Sequence, residues 1–343
     1  MTWRPSLLVA LFAATSLYGQ QPKNVKVLVG LSRPEVQRIM NQMRAGLGVH
    51  CHYCHVVGQD PSVDGTPQKA RAREMMQMVV ELNQRHFGGR EVVTCFTCHN
   101  GAPRPKTTPP LPQPLPRDLT ANPPVAETIK LPSPAEVMQR YVAAVGRIVT
   151  AAEPRSIMAT RATPLGGPMA MKIVESGDQM RIDLTLPDGS PMTQVLTDTG
   201  GWIRDKSGVR DMQPEEVVGA RMGRRAFAPF TVSSFGNDAA VTADKIGDQN
   251  VWVVTTPDAQ YSFDAESGLL LRRVVFYSSP IGRIPEQTEF DHYRSVGGAK
   301  VPFTTRVALV DPWLGGTRQA TTVIIGAPIP PSEFEKPLAG PGS

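Results

Sequence analysis

Apolar positions recur at helical spacing in three separate stretches of the chain. After Ser32-Arg33-Pro34-Glu35, where a serine and a glutamate stand three apart as in a capping box, Val36, Met40, Met43 and Leu47 fall on one face. The pattern predicts a helix that closes at Gly46-Leu47-Gly48. Thr66-Pro67 opens a second, with Met75, Met78 and Leu82 along one stripe. Ser133-Pro134-Ala135-Glu136 repeats the capping box, and Val137, Met138, Tyr141, Val142, Val145, Ile148 and Val149 make a third stripe. From about residue 156 the period drops to two. Met180, Ile182, Leu184 and Leu186 alternate with polar residues, and Pro187-Asp188-Gly189-Ser190 turns the chain. Residues 251–256, 260–263 and 269–277 are further predicted strands, while 213–229 read as a helical interruption.

Two other segments divide the chain. Arg4 followed by the short apolar run 7–14 (LLVALFAA) reads as a signal peptide over residues 1–20, and the run is too short for a comfortable membrane span. Residues 103–134 hold 11 prolines, which excludes a helix or a central strand and predicts a semi-rigid spacer. The expected architecture is therefore multidomain. A small α-helical unit spans residues 24–102, the proline-rich linker 103–134, and an α+β unit with an antiparallel open-barrel sheet 135–335. A formal charge of +5, with no basic run interleaved with aromatics, points away from nucleic acid as a partner. Four cysteines are too few for a disulfide scaffold.

All four cysteines and five of the six histidines lie in residues 24–101. They form Cys51-His52-Tyr53-Cys54-His55 and Cys95-Phe96-Thr97-Cys98-His99, each the C-x-x-C-H signature of covalent c-type haem. Two thiols three residues apart on one turn reach the two vinyl groups of one porphyrin, and the adjacent His55 or His99 comes under the iron. Competing readings are a four-thiolate zinc site and a pair of redox dithiols. The separation of about 40 residues exceeds common zinc-ribbon spacing, and a histidine after both pairs favours haem. Five of the 14 methionines cluster in residues 40–78, on the two helices where a second iron ligand is needed. Either they ligate iron, one per haem, or they are soft packing against a porphyrin. His86 is the rival ligand at the second site.

The segments 47–56 (LGVHCHYCHV), 75–83 (MMQMVVELN) and 93–101 (VTCFTCHNG) resemble the cytochrome subunit of photosynthetic reaction centres. The resemblance covers about residues 24–105. It implies that each haem is bound by a helix, a turn and then the motif, with a methionine of the preceding helix as the other axial ligand. Matched helix to helix, Met40 (11 residues before Cys51) and Met75 (20 before Cys95) fall on those positions. The two motifs here are fewer than that family typically carries. More loosely, the stranded half resembles the periplasmic lipoprotein-carrier fold, which implies a concave face for a lipid or a partner protein.

The sequence thus predicts an exported dihaem c-type cytochrome acting in electron transfer, with redox proteins and a membrane-bound complex as its expected class of partner. Its expected location is the periplasm or another exported compartment, in association with a membrane. The alternatives are a haem peroxidase or oxidoreductase, or a lipid- or partner-binding protein with an ancillary haem unit. No nucleophile–base constellation marks a catalytic residue, so a non-enzymatic carrier is the expectation.

Overall fold

A computed structural model of the chain describes residues 22–108, 130–150, 152–163, 166–226, 234–309 and 315–337. The expected signal peptide and most of the proline-rich linker lie outside these residues.

The first part is built on two helices, α1 (Arg33–Leu47) and α2 (Pro67–Phe87), with a short third, α3 (Cys95–His99). The expected caps are in place. The Glu35 carboxylate accepts from both the backbone N–H and the hydroxyl of Ser32, each at 2.7 Å, and Thr66 accepts from the Lys69 N–H at 3.3 Å. Such caps satisfy donors that a helix start leaves orphaned and contribute about 1 kcal/mol each. Helix α4 (Pro134–Val145) starts at the expected Ser133 cap. It stops earlier than its apolar stripe suggested, because Gly146 takes φ +79° and turns the chain before Ile148 and Val149.

The rest is one antiparallel sheet of 13 strands: β1 (Arg155–Thr163), β2 (Gly166–Ser176), β3 (Gln179–Thr185), β4 (Pro191–Leu196), β5 (Gly201–Asp205), β6 (Gly208–Asp211), β7 (Ala240–Ile246), β8 (Gln249–Thr255), β9 (Ala259–Asp264), β10 (Leu270–Tyr277), β11 (Ile284–Val296), β12 (Ala299–Leu309) and β13 (Gly316–Ile325). The strands β1 to β6 step outward to one edge, and helix α5 (Pro214–Ala226) follows. Strands β7 to β13 then run back from the other edge until β13 pairs with β1. Among the described residues β6 and β7 remain edges, so the sheet is open, as the alternating pattern predicted.

Alternation decides which face is buried. Ile173 lies opposite Ile182 and Met171 opposite Leu184, and these pack with Ile157, Leu196, Val301 and Ala220 of α5. Helix α4 covers another stretch of the sheet, placing Val137, Tyr141 and Val145 on Val254, Phe263 and Leu270. The Tyr141 and Phe263 rings meet edge to face at 5.3 Å, a contact of about 0.5–1.5 kcal/mol beyond burial. Among the described residues no helix is long and apolar enough to cross a membrane.

The two parts touch. Leu28, Ile39, Met43, Met76 and Val79 of the first share one buried cluster with Ile281 and Ile284 of the second. Beside it Arg38 of α1 pairs with buried Glu286 of β11 at 3.2 Å and lies over the Tyr277 ring, 3.8 Å from its centroid.

Candidate haem sites

The second motif forms α3, a single tight turn that places Cys95, Cys98 and His99 together. Thr94 caps it, its N–H donating to the Thr97 hydroxyl at 3.0 Å. The approach to that cap is fixed by Asn83 of α2, which is buried. Its carbonyl oxygen accepts from the N–H of Val92 (3.1 Å) and of Val93 (2.9 Å), and its amide donates to the Val93 carbonyl (2.9 Å). From the other side α1 crosses α3 at Gly46, where an added Cβ would stand 3.2 Å from Cβ of Cys95. A side chain there would have to push the turn back by a few tenths of an ångström.

His99 is half-buried, with Nδ1 at 2.9 Å from the Ala102 carbonyl. With the proton on Nδ1, that bond fixes the ring and leaves the Nε2 lone pair as the ligating one, the usual support of a metal-bound histidine. Cys95, Cys98 and His99 line a cavity of about 310 Å³ whose other walls include Met75, Met76, Met78 and Val79 of α2 and Met43 and Leu47 of α1. Met75 therefore faces the same space as His99. His86 is exposed near the end of α2 and is not part of that lining. Burial raises the Cys95 thiol pKa, so it stays protonated at neutral pH.

The first motif begins as a 3₁₀ turn (Cys51–Tyr53), and the N–H of His55 donates to the Cys51 carbonyl at 3.0 Å. Thr66, the cap of α2, donates its hydroxyl to the Cys54 carbonyl at 2.6 Å, so one residue ties the motif to the helix that follows. The intervening loop is gathered by Asp64, which meets Arg73 at 2.9 Å and Lys69 at 3.2 Å. Asp64 is held well below the usual carboxylate range, chiefly by its bond with Arg73. Burial, then the Lys69 charge, lowers the His55 pKa and keeps the ring neutral, the form that can ligate a metal. Its Nδ1 is buried without a completed hydrogen bond, although the Pro61 carbonyl is near enough to favour the protonated ring.

Met40 is half-buried against the cluster of Leu28, Ile39 and Met43, while Met43, with Cys54 and Tyr53, lines the cavity that reaches the second motif. One cavity thus touches both motifs. Among the described residues no three His, Cys, Asp or Glu side chains are placed to hold one metal ion, as a four-thiolate zinc site would require. All four thiols are free of disulfides. Free thiols, a neutral or oriented imidazole beside each pair and a methionine-lined cavity fit a covalently held haem.

A second, narrower cavity of about 40 Å³ lies beneath α5, walled by Met171, Ile173, Met180 and Ile182, with Arg161 and Arg318 among its polar lining. Burial lowers the Arg318 pKa to about 10. The alternating pattern pointed to the apolar wall. Nothing in it marked the arginines as inward-facing, because charged residues default to the surface.

Residues 10–115 match the family model of the photosynthetic reaction centre cytochrome C subunit. Cytochrome c-554 of Chloroflexus aurantiacus is 40% identical over 86 residues, which are 23% of this chain and 20% of that protein. The photosynthetic reaction center cytochrome c subunit of Rubrivivax gelatinosus is 36% identical over 89 residues, 24% of each chain. The chain thus spans between a fifth and a quarter of the length of these curated relatives. Among solved structures, a LolA superfamily protein from Nitrosomonas europaea aligns with 60% of this chain and 98% of its own, at 8% identity and a TM-score of 0.39. A putative outer membrane lipoprotein-sorting protein domain from Vibrio parahaemolyticus aligns with 58% of this chain and 93% of its own, at 12% identity and a TM-score of 0.35.

Proposed function

We propose that this chain is an exported dihaem c-type cytochrome that passes electrons between protein partners. The similarity of its first third to cytochrome c subunits supports covalent haem c and electron transfer. The observation that carries the finer reading is at the second motif, where His99, oriented through Nδ1, opens onto a cavity with both its cysteines and Met75. Haem, when bound, supplies reversible one-electron chemistry at its iron. The chain's own residues set the terms. Cys51 and Cys54, and Cys95 and Cys98, hold one group each through thioether bonds. His55 and His99 are the proximal ligands. Met40 and Met75 are the distal ones, and thioether ligation raises the reduction potential.

A peroxidase would need an open iron position. The methionine-lined wall facing His99 supports a closed one, hence a carrier rather than an enzyme. The periplasm, or another exported compartment, is the location that suits the N-terminal signal pattern, and a membrane-bound redox complex is the class of partner. The sheet serves as a docking module, with lipid binding on its concave face the other use of the same architecture.

Intact mass and a pyridine haemochrome assay on protein made with a haem-attachment system test the reading. We expect two haems per chain, and one after Cys51→Ala with Cys54→Ala. A colourless, zinc-loaded product would refute it.

A further inference from the structure

The second haem site is not enclosed by residues 22–108 alone. The loop between β10 and β11 packs against the back of its wall. Ile281 at its tip is 0% exposed and Ile284 3%, and both pack in the cluster that contains Met43, Met76 and Val79. Those three residues also line the cavity at Cys95 and His99. The same loop meets the capping residue of α3. Gly282 has φ +117°, and a Cβ there would stand 2.4 Å from Cγ2 of Thr94 and 3.1 Å from its Cβ. Thr94 immediately precedes Cys95, so the glycine backbone of the sheet lies against the start of the haem-binding turn.

The loop is also stiff. The Ser279 hydroxyl donates to the Gly282 carbonyl at 2.5 Å, and the Gly282 N–H donates back to the Ser279 carbonyl at 3.1 Å. Gln42 of α1 donates to the Arg283 carbonyl at 2.9 Å, and Arg283 donates to the Pro257 carbonyl at 2.6 Å. A tip tied on both sides, with a buried isoleucine and no side chain at the contact, is a fixed wall rather than a passing touch.

We infer that residues 279–284 of the sheet are part of the second haem site, with Ile281 and Gly282 as positioning residues that set the reduction potential of the group held by Cys95, Cys98 and His99. The inference rests on the reading of that motif as a haem site. The physical route is burial. Displacing Thr94, or emptying the space of Ile281, opens the back of the cavity to water. Water stabilises the extra positive charge of the ferric state, so the potential falls. The contact of Gly282 with Thr94 belongs to the second site alone, whereas Met40, assigned to the first, packs on the same cluster as Ile281.

The test is a redox titration of the full holoprotein carrying Gly282→Ala. Gly326→Ala is the control, since Gly326 also has positive φ (+81°) but nothing within 4 Å. Both carry the cost of alanine at positive φ. Only Gly282→Ala should lower the second potential, by about tenfold in the reduction equilibrium, or about 59 mV for one electron. The first potential should stay put. Adding Thr94→Ser removes the Cγ2 in the way while keeping the capping hydroxyl, and should recover at least half of the shift. Should Gly282→Ala not fold, Ile281→Ala provides the same readout without backbone strain. A second potential that moves no more than in the Gly326→Ala control, or in Ile281→Ala not at all, overturns the inference alone. A parent in which the second cysteine pair carries no haem overturns the functional reading as well, and the haemochrome count separates the two failures.

Discussion

Replacing Arg38 by alanine should cost most at neutral pH and progressively less in acid. Arg38 and Glu286 meet at 3.2 Å with side chains only 19% and 5% exposed. Breaking a buried pair from one side costs about 3–5 kcal/mol, because the other charge stays buried without its partner. Arg38 keeps some access to water, which puts the loss near the lower bound, about 3 kcal/mol, including its contact with the Tyr277 ring. The groups facing Glu286 are Arg38, Arg273 and the Tyr277 hydroxyl, the last at 3.3 Å. Burial raises the Glu286 pKa, and Arg38 pulls it partly back down. An acid with a raised folded-state pKa binds more protons folded than unfolded, so its contribution to stability falls as pH rises through that window. Without Arg38 the window widens upward. Below it the carboxyl is neutral in the folded variant, and only packing and the ring contact are lost. Urea denaturation of parent and Arg38→Ala, followed by far-ultraviolet circular dichroism between about pH 5 and pH 8, reads the difference. We expect the gap to shrink toward the acid end by at least half. A gap that is constant across the range would show that Glu286 is not the group left stranded.

Asn83→Ala should destabilise the chain by about 2 kcal/mol, since three hydrogen bonds to residues 92 and 93 are lost together. Asn83→Asp, which keeps both acceptances, should cost less, and equal losses in urea denaturation would refute that division. Met75→His should keep the second haem low-spin and lower its potential, because imidazole favours the ferric state relative to thioether. Met40→His should do the same at the first haem. A redox titration in which Met43→His moves the first potential and Met40→His leaves it fixed would transfer the ligand role to Met43.

What the sequence made legible was what is encoded locally. The caps at Ser32, Thr66 and Ser133 appear where the pattern put them, because a serine or threonine three residues ahead of its partner needs nothing distant to close the bond. The alternation of Met180, Ile182 and Leu184 became the inner face of β3 for the same reason. Each cysteine pair was readable because the motif carries its chemistry within five residues. Asn83 was not, since a buried asparagine inside an apolar stripe looks like an exposed polar position until residues 92 and 93 fold back on it. Neither was Ile281. Its value lies in Met43 and Met76, more than 200 residues earlier in the chain, and no periodicity links them. Helix α4 ends before its apolar spacing does, because that spacing continues through Ile148 and Val149 while Gly146 decides the backbone.

The contact made by Ile281 bears on how the molecule works. A unit of about 80 residues buries a smaller share of its surface than a larger domain does, so a bound group or a neighbour that extends its core adds stability. Here the neighbour is the sheet. Ile281 and Ile284 sit in the helices' own cluster, Gln42 spends its amide on the Arg283 carbonyl, and Arg38 spends its charge on Glu286. Each is a polar or apolar need of the first part met by the second. The face of α1 that carries Met43 is therefore supported from the sheet side, and the cavity at Cys95 inherits that support through Met43, Met76 and Thr94. Contacts that fill a core and bury a charge make the sheet's position a condition of the cavity's shape, so whatever moves Gly282 against Thr94 should register at the second cysteine pair before the first.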